Sequence, residues 1–300
     1  MNIAERWQAI ALAVLVFSLL AFLSRSYPSI DSFEYASTLQ AVQEGLAEST
    51  SFYMISSYLV PLTSFELFAP LLGALAIFLI YLALRARFDS IPALIAAALL
   101  ATSAGFTAFS SAGIFTPLAL SFSLFALGAY ALLNSQQTRN PARAAFGALT
   151  LLAAAFISPS SLIPSGVLTL SLGIQAAHDL LAKRKTCIAT PALALAATLA
   201  GLALAGMPEL AAEPTIQIAL LNSFALLPLA LPGTLIALIM AYKGESGVHA
   251  TAASLGLLSL ISAPYSTFGA LFGMAFACAY GLKWASYEAK EEKNEMAFAG

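Results

Sequence analysis

Charge is what this sequence has least of. Asp, Glu, Lys and Arg make up 9% of its 300 residues, where a soluble globular domain carries about a quarter. The net charge is −2, and no basic patch exists to neutralise phosphates, so a nucleic-acid partner is excluded. Only two histidines and two cysteines occur. Cys187 and Cys278 show neither metal-ligand nor redox spacing and read as small core residues. There is no Gly-rich loop of the kind that cradles a phosphate, and no fixed-period repeat. Nucleotide-driven chemistry therefore has nothing to stand on.

What fills the space is apolar. Hydrophobic residues make up 60% of the chain and the mean hydropathy is +0.87, in long charge-free runs near the roughly 20 residues that cross a bilayer. The expected fold class is an all-α polytopic membrane protein. Ten spans fit the runs: 7–24, 67–84, 91–110, 116–133, 144–158, 162–182, 187–206, 217–241, 248–262 and 265–283. The first lacks a small-residue cleavage site and reads as a retained helix, not a signal peptide. Pro228 and Pro232 should kink the eighth span. Residues 1–285 are expected to form the transmembrane domain and 286–300 a frayed cytosolic tail.

Counting charges orients the bundle. With the N-terminus inside, twelve of the thirteen basic residues fall on the inner side and only Arg25 on the outer, which is the positive-inside pattern. The outer side holds seven acids: Asp31, Glu34, Glu44, Glu48, Glu66, Glu209 and Glu213. No span carries a charge near its centre, where ionisable residues mark ion pathways. His178, Asp179 and His249 sit at inner ends of spans and read as solvated or snorkelling. Both histidines are thus on the inner side, and no Ser/His/Asp or Cys/His set is available on the outer face.

The outer stretch 24–66 is too polar for a bilayer. Asp31-Ser-Phe-Glu34 has the form of a capping box. Tyr35, Leu39, Val42 and Leu46 then recur at helical spacing, the stripe of an amphipathic helix lying on the outer membrane surface. Asp31 and Glu34 offer hard oxygen ligands one turn apart and suit a divalent cation. The capping box accounts for both acids without any metal. Glu209 and Glu213, four apart in the loop between the seventh and eighth spans, read from the residues alone as an ordinary solvated loop.

The order of parts resembles the membrane domain of the oligosaccharyltransferase catalytic subunit, the single-chain archaeal and bacterial type-C glycosyltransferases. The resemblance runs over roughly residues 10–282. It rests on a first helix followed by Asp31-Ser-Phe-Glu-Tyr35, on helices similar to Leu71–Leu82 and Ala96–Phe106, and on the turn Ser111-Ala-Gly-Ile-Phe115. Leu210-Ala-Ala-Glu213 is similar to the family's Thr-Ile-X-Glu element. The resemblance implies Asp31 as a metal-binding and catalytic acid, Glu213 as a second residue at the metal and acceptor site, Mg²⁺ or Mn²⁺ as cofactor, and a polyprenyl-phosphate-linked sugar as donor. It also implies a multi-pass protein of a prokaryotic-type cell membrane.

The departures are specific. Where the family places a second pair of acids, this chain has Thr116-Pro117-Leu118. Ser266-Thr267-Phe268 stands where the family tends to have an Arg-Phe pair facing the lipid phosphates, and no counterpart of the outer soluble domain is expected. Three readings follow. The first is a glycosyltransferase using Asp31 and Glu213. The second is a catalytically silent relative that binds lipid or a partner membrane protein. The third is a transporter, which the lack of intramembrane charge and of an inverted repeat disfavours.

Overall fold

The computed structural model describes residues 3–23, 37–38, 40–41, 67–111, 116–206, 225–244, 246–263 and 267–299. Among them every regular element is helical. In chain order these are α1 (Ile3–Leu23), α2 (Phe68–Arg85), α3 (Ser90–Ala101), α4 (Ala104–Ser110), α5 (Pro117–Thr138), α6 (Pro141–Ile157), α7 (Leu162–Leu181), α8 (Ala189–Ala205), α9 (Leu227–Tyr242), α10 (Gly247–Ser262) and α11 (Thr267–Ala299). Four helices of 18 residues or more are apolar enough to cross a membrane, and α3, α6, α8, α9 and α10 are shorter apolar helices.

Local chemistry sets the boundaries. Pro117 and Pro141 open α5 and α6 in the first turn, where the missing N–H would have had no partner anyway. Asn140 Oδ1 accepts from the backbone N–H groups of Ala142 and Arg143, at 3.0 and 3.4 Å, and Ser246 Oγ accepts from Val248 N–H at 3.3 Å. Both are side-chain N-caps. Arg139 ends α5 in the left-handed region at φ 54°.

Three features differ from the sequence expectation. The single run 91–110 is split into α3 and α4. Thr102 Oγ1 and Ser103 Oγ donate to the carbonyls of Leu99 and Leu100, at 3.1 and 2.7 Å, and Ser103 turns extended at ψ 139°. Hydroxyls that bond back to the helix compete with its own ladder. Second, α9 begins at Leu227, so Pro228 lies in its opening turn and only Pro232 is inside the helix. Third, α11 continues past Ser286 as one helix to Ala299.

The helices form an open ring around a centre. Going round it, α1 packs on α2, α2 on α5, α5 on α6, α6 on α8, α8 on α7, α7 on α10 and α10 on α9. Inside lies α11, which touches α3, α7, α9 and α10, while α3 packs on α2 and α11 and leaves Ile91 and Ile95 exposed on its other side. From Ala270 to Tyr280 every residue of α11 is buried. Aromatic rings knit this centre: Phe276 meets Phe88 at 4.8 Å and Phe272 meets Phe125 at 5.3 Å, both edge to face, a favoured geometry. Gly233 of α9 lets α11 approach so closely that a Cβ there would run into the Ala277 carbonyl. Outward-facing side chains are large and apolar, among them Val14, Leu71, Phe146, Phe156, Leu199 and Leu235. In water such a surface would be an aggregation hazard; in a bilayer it is the ordinary exterior. The chain is a membrane protein.

Candidate functional site

One end of the bundle is basic and tightly bonded. Glu5 at the start of α1 pairs with Arg85 at the end of α2. Arg87 Nη2 donates to the Leu133 carbonyl of α5 at 3.0 Å, and Arg143 Nη1 to Asn134 Oδ1 at 3.2 Å. Gln136 Nε2 donates to Thr186 Oγ1 at 2.9 Å, and Arg184 Nη2 to the Gly244 carbonyl at 2.8 Å. The loops following α2, α5, α7 and α9 therefore share one end, and the segments carrying Asp31 and Glu213 leave from the other.

At the basic end Asp179, expected to be solvated, is buried at 9% exposure. Its carboxylate lies against Gly247, filling the space a Cβ would need, at the N-terminus of α10 where a negative charge is favoured. Burial pushes the Arg87 guanidinium down to about 10, with the charge of Asp179 opposing the fall, so Arg87 stays protonated at neutral pH. His249 is not snorkelling either. Tyr280 Oη lies 2.7 Å from His249 Nδ1, and Trp284 Nε1 donates to Tyr280 Oη at 2.8 Å. Indole only donates, so the phenol oxygen accepts from Trp284 and shares a second hydrogen bond with His249 Nδ1. His178 Nε2 lies 3.4 Å from the Ala241 carbonyl. All three lie against residues distant in the chain, Asp179 on Gly247, His249 on Tyr280 and His178 near the Ala241 carbonyl, which the sequence could not show. Cys278 is buried as expected, whereas Cys187 is half-buried.

At the opposite end of the bundle α1 and α8 terminate. Asp31, Glu34 and Glu213 lie outside the described residues, as do Ala112–Phe115 and Ser266. Of the expected surface helix, Ser37, Thr38, Gln40 and Ala41 are described and helical. Their framing is described. Gly73 of α2 packs between Leu20, near the end of α1, and Ser110, at the end of α4. The ends of α1 and α4 thus lie side by side at Gly73.

Thr116 is extended, at φ −134° and ψ 156°, and precedes Pro117 without capping α5 through its side chain. Leu118 packs on the core. The described polar groups at this end are neutral hydroxyls. Those of Thr116, Ser161 and Ser165 are buried with no hydrogen-bond partner among the described residues, and Ser158 Oγ sits 2.7 Å from Ser160 Oγ. Nearby, an apolar groove of about 250 Å³ runs between the C-terminal halves of α6 and α8, lined by Leu149, Leu152, Phe156, Gly201 and Leu204. This end can hydrogen-bond a neutral polar group and seat a hydrocarbon chain. Among the described residues no three His, Cys, Asp or Glu side chains gather as metal ligands.

No protein-family model matches the chain, and no curated protein sequence matches it. Solved structures do. The chain is similar to the apo oligosaccharyltransferase of Archaeoglobus fulgidus, with a TM-score of 0.65 and 13% identity, covering 97% of this chain and 52% of that one. It is similar to the same enzyme tethered to an acceptor peptide containing the NVT sequon, with a TM-score of 0.62 over 93% of this chain and 49% of that one. It is similar as well to archaeal oligosaccharyltransferase AglB from that organism in complex with an inhibitory peptide and a dolichol-phosphate, with a TM-score of 0.62 over 99% and 51%. The chain spans about half the length of these structures and has an oligosaccharyltransferase-like fold.

Proposed function

We propose that the protein is an oligosaccharyltransferase-like membrane glycosyltransferase that takes sugar or oligosaccharide from a polyprenyl-phosphate-linked donor on the outer face. The observation that carries this reading is the fold match, which covers 97% of the chain. The basic end would face the cytosol and ten segments would cross the membrane, leaving the hydroxyl-rich end with Asp31 and Glu213 outside. The α6–α8 groove has the chemistry a prenyl tail fills, and the buried hydroxyls suit an uncharged sugar.

The metal that the resemblance implies is poorly served by the described residues. Leu118 has no ligand atom and Thr116 offers only a neutral hydroxyl, so Mg²⁺ or Mn²⁺ would depend on Asp31, Glu34 and Glu213. Bound there, it would supply a Lewis acid near the donor phosphate. Thr116-Pro117-Leu118 favours a second reading, a relative that keeps the fold and the lipid but has lost transfer, acting as a lipid- or partner-binding subunit. A shared fold alone does not carry chemistry.

Reconstitution separates the two. Protein in liposomes with a polyprenyl-linked sugar, Mn²⁺ and an acceptor peptide should release labelled peptide, and Asp31→Ala should lower the rate on the order of a hundredfold. Co-purified polyprenyl lipid without turnover would leave the silent reading. Neither lipid nor turnover would remove both.

A further inference from the structure

We propose that the seam between α7 and α9 at the basic end binds an anionic phospholipid, with Arg184 and its neighbouring lysines on the phosphate. The two helices meet there, since His178 Nε2 lies 3.4 Å from the Ala241 carbonyl. Each lays an exposed apolar strip beside that contact. On α7 the strip is Ile174 and Leu181, at the i and i+7 positions of one face, with His178 at its edge. On α9 it is Leu238 and Tyr242, at i and i+4. Leu181 is 87% exposed and Tyr242 94%, the two highest values among the described large hydrophobic side chains. Both stand at the last residue of their helix, so the seam is least covered where it reaches the headgroup level.

The charges stand over this seam. Arg184 reaches from the turn after α7 to the turn after α9, where its Nη2 donates to the Gly244 carbonyl at 2.8 Å. Lys183 and Lys185 flank it, and all three are exposed. The turn that carries them is fixed. Lys183 sits in the left-handed region at φ 53°. The N–H groups of Lys183 and Arg184 donate back to the Leu180 and Asp179 carbonyls, at 2.9 and 2.7 Å, which closes the end of α7 in the Schellman manner. None of the three cations pairs with a carboxylate among the described residues. Asp179 is turned against Gly247 of α10, and Glu245 lies outside the described residues. The positive-inside pattern asks only that cations lie at this end. It does not ask that three share one turn, or that a guanidinium bridge two helices above a pair of apolar strips. Elsewhere at this end Arg85 is committed to Glu5 and Arg87 to the Leu133 carbonyl. A guanidinium with ammonium groups beside it suits a phosphodiester. The strips below suit acyl chains, and a tyrosine at a span end lies at the depth of the headgroups. A soluble phosphate compound would meet the charges but leave the strips bare.

The test uses the full chain in neutral detergent and compares phosphatidylglycerol, phosphatidylcholine and glycerol 3-phosphate by thermal unfolding and native mass spectrometry. Phosphatidylglycerol at ten times its Kd should raise the melting temperature by about 3 °C and persist as a one-lipid adduct. Phosphatidylcholine should give less than a third of that shift. Lys183→Asn combined with Lys185→Gln removes two charges, and asparagine accepts the left-handed backbone. This double variant keeps the Arg184 bond, so its lipid-free melting temperature should be unchanged while phosphatidylglycerol binds about tenfold more weakly or worse. Arg184→Gln should weaken binding as well. Lys243→Gln, on the face of α9 that Ile239 shares and off the seam, should leave it unchanged. Equal shifts from the two lipids, full affinity in the double variant, or the same loss in Lys243→Gln would overturn the proposal. So would a full shift from glycerol 3-phosphate alone, which would assign the turn to a soluble anion.

Discussion

Asp179 is buried with its carboxylate against Gly247, at the start of α10 where a negative charge is favoured. Asp179→Ala removes the charge and the contact together and should lower the unfolding midpoint in detergent, at a cost of about 1–2 kcal/mol. Asp179→Asn keeps the shape without the charge and should recover part of it. Tyr280 makes a second residue-scale case. Tyr280→Phe takes a hydrogen bond from Trp284 and one from His249, at about 1–2 kcal/mol together. Trp7 is exposed on α1, so a change in the environment of Trp284 is readable in Trp7→Phe protein by its fluorescence. Neither arrangement could be read from the sequence. His249 and Asp179 each lie next to an apolar run, and residues in that position are usually solvated; the residues they pack against, Tyr280 and Gly247, are brought to them by the fold.

At the scale of elements the sequence is far more legible, because a bilayer demands long apolar helices and their edges carry proline, asparagine and serine. The run beginning at residue 144 and the helix beginning at Pro141 differ only by the capping turn, which Asn140 closes. Asn140→Ala should cost about 1 kcal/mol, while Asp89→Ala, at an N-cap whose side chain makes no capping bond, should cost little; paired thermal melts decide it. The break at Thr102–Ser103 leaves no mark on hydropathy because serine and threonine are tolerated inside membrane helices, and only their rotamer makes them competitors of the backbone. The centrality of α11 was equally hidden. A helix apolar on every side can face lipid or be enclosed by other helices, and hydropathy scores both alike. Its glycines and alanines were the available hint, since close helix contact in membranes runs through small residues. Gly233→Leu should accordingly destabilise by about 1–3 kcal/mol through the Ala277 backbone, and Leu235→Ala, on the exposed side of the same helix, should be mild.

For the whole molecule the charge count of the sequence and the bonding of the basic loops point to the same grouping of helix ends. Sidedness can be measured with the native cysteines. Cys187 lies in the basic loop before α8 and is half-buried, and Cys278 is enclosed in α11. A membrane-impermeant maleimide should label Cys187 only when added from the cytosolic side, and Cys278 only after unfolding. A cysteine introduced at Ser111, beside the outer turn, should show the reverse accessibility. The candidate site was legible only as a set of acids, because Asp31 and Glu213 are separated by most of the chain and no spacing rule joins them. What Thr116 and Leu118 do in the fold is plain from their backbone and packing.

The enclosure of α11 also has a consequence for biogenesis. It leaves the ribosome after every helix that it holds together, so α3, α7, α9 and α10 must wait in the membrane with an unfilled centre. Until α11 arrives, Phe88 and Phe125 lack the rings of Phe276 and Phe272 to pack on, and the half-built assembly is the form most exposed to quality-control proteases.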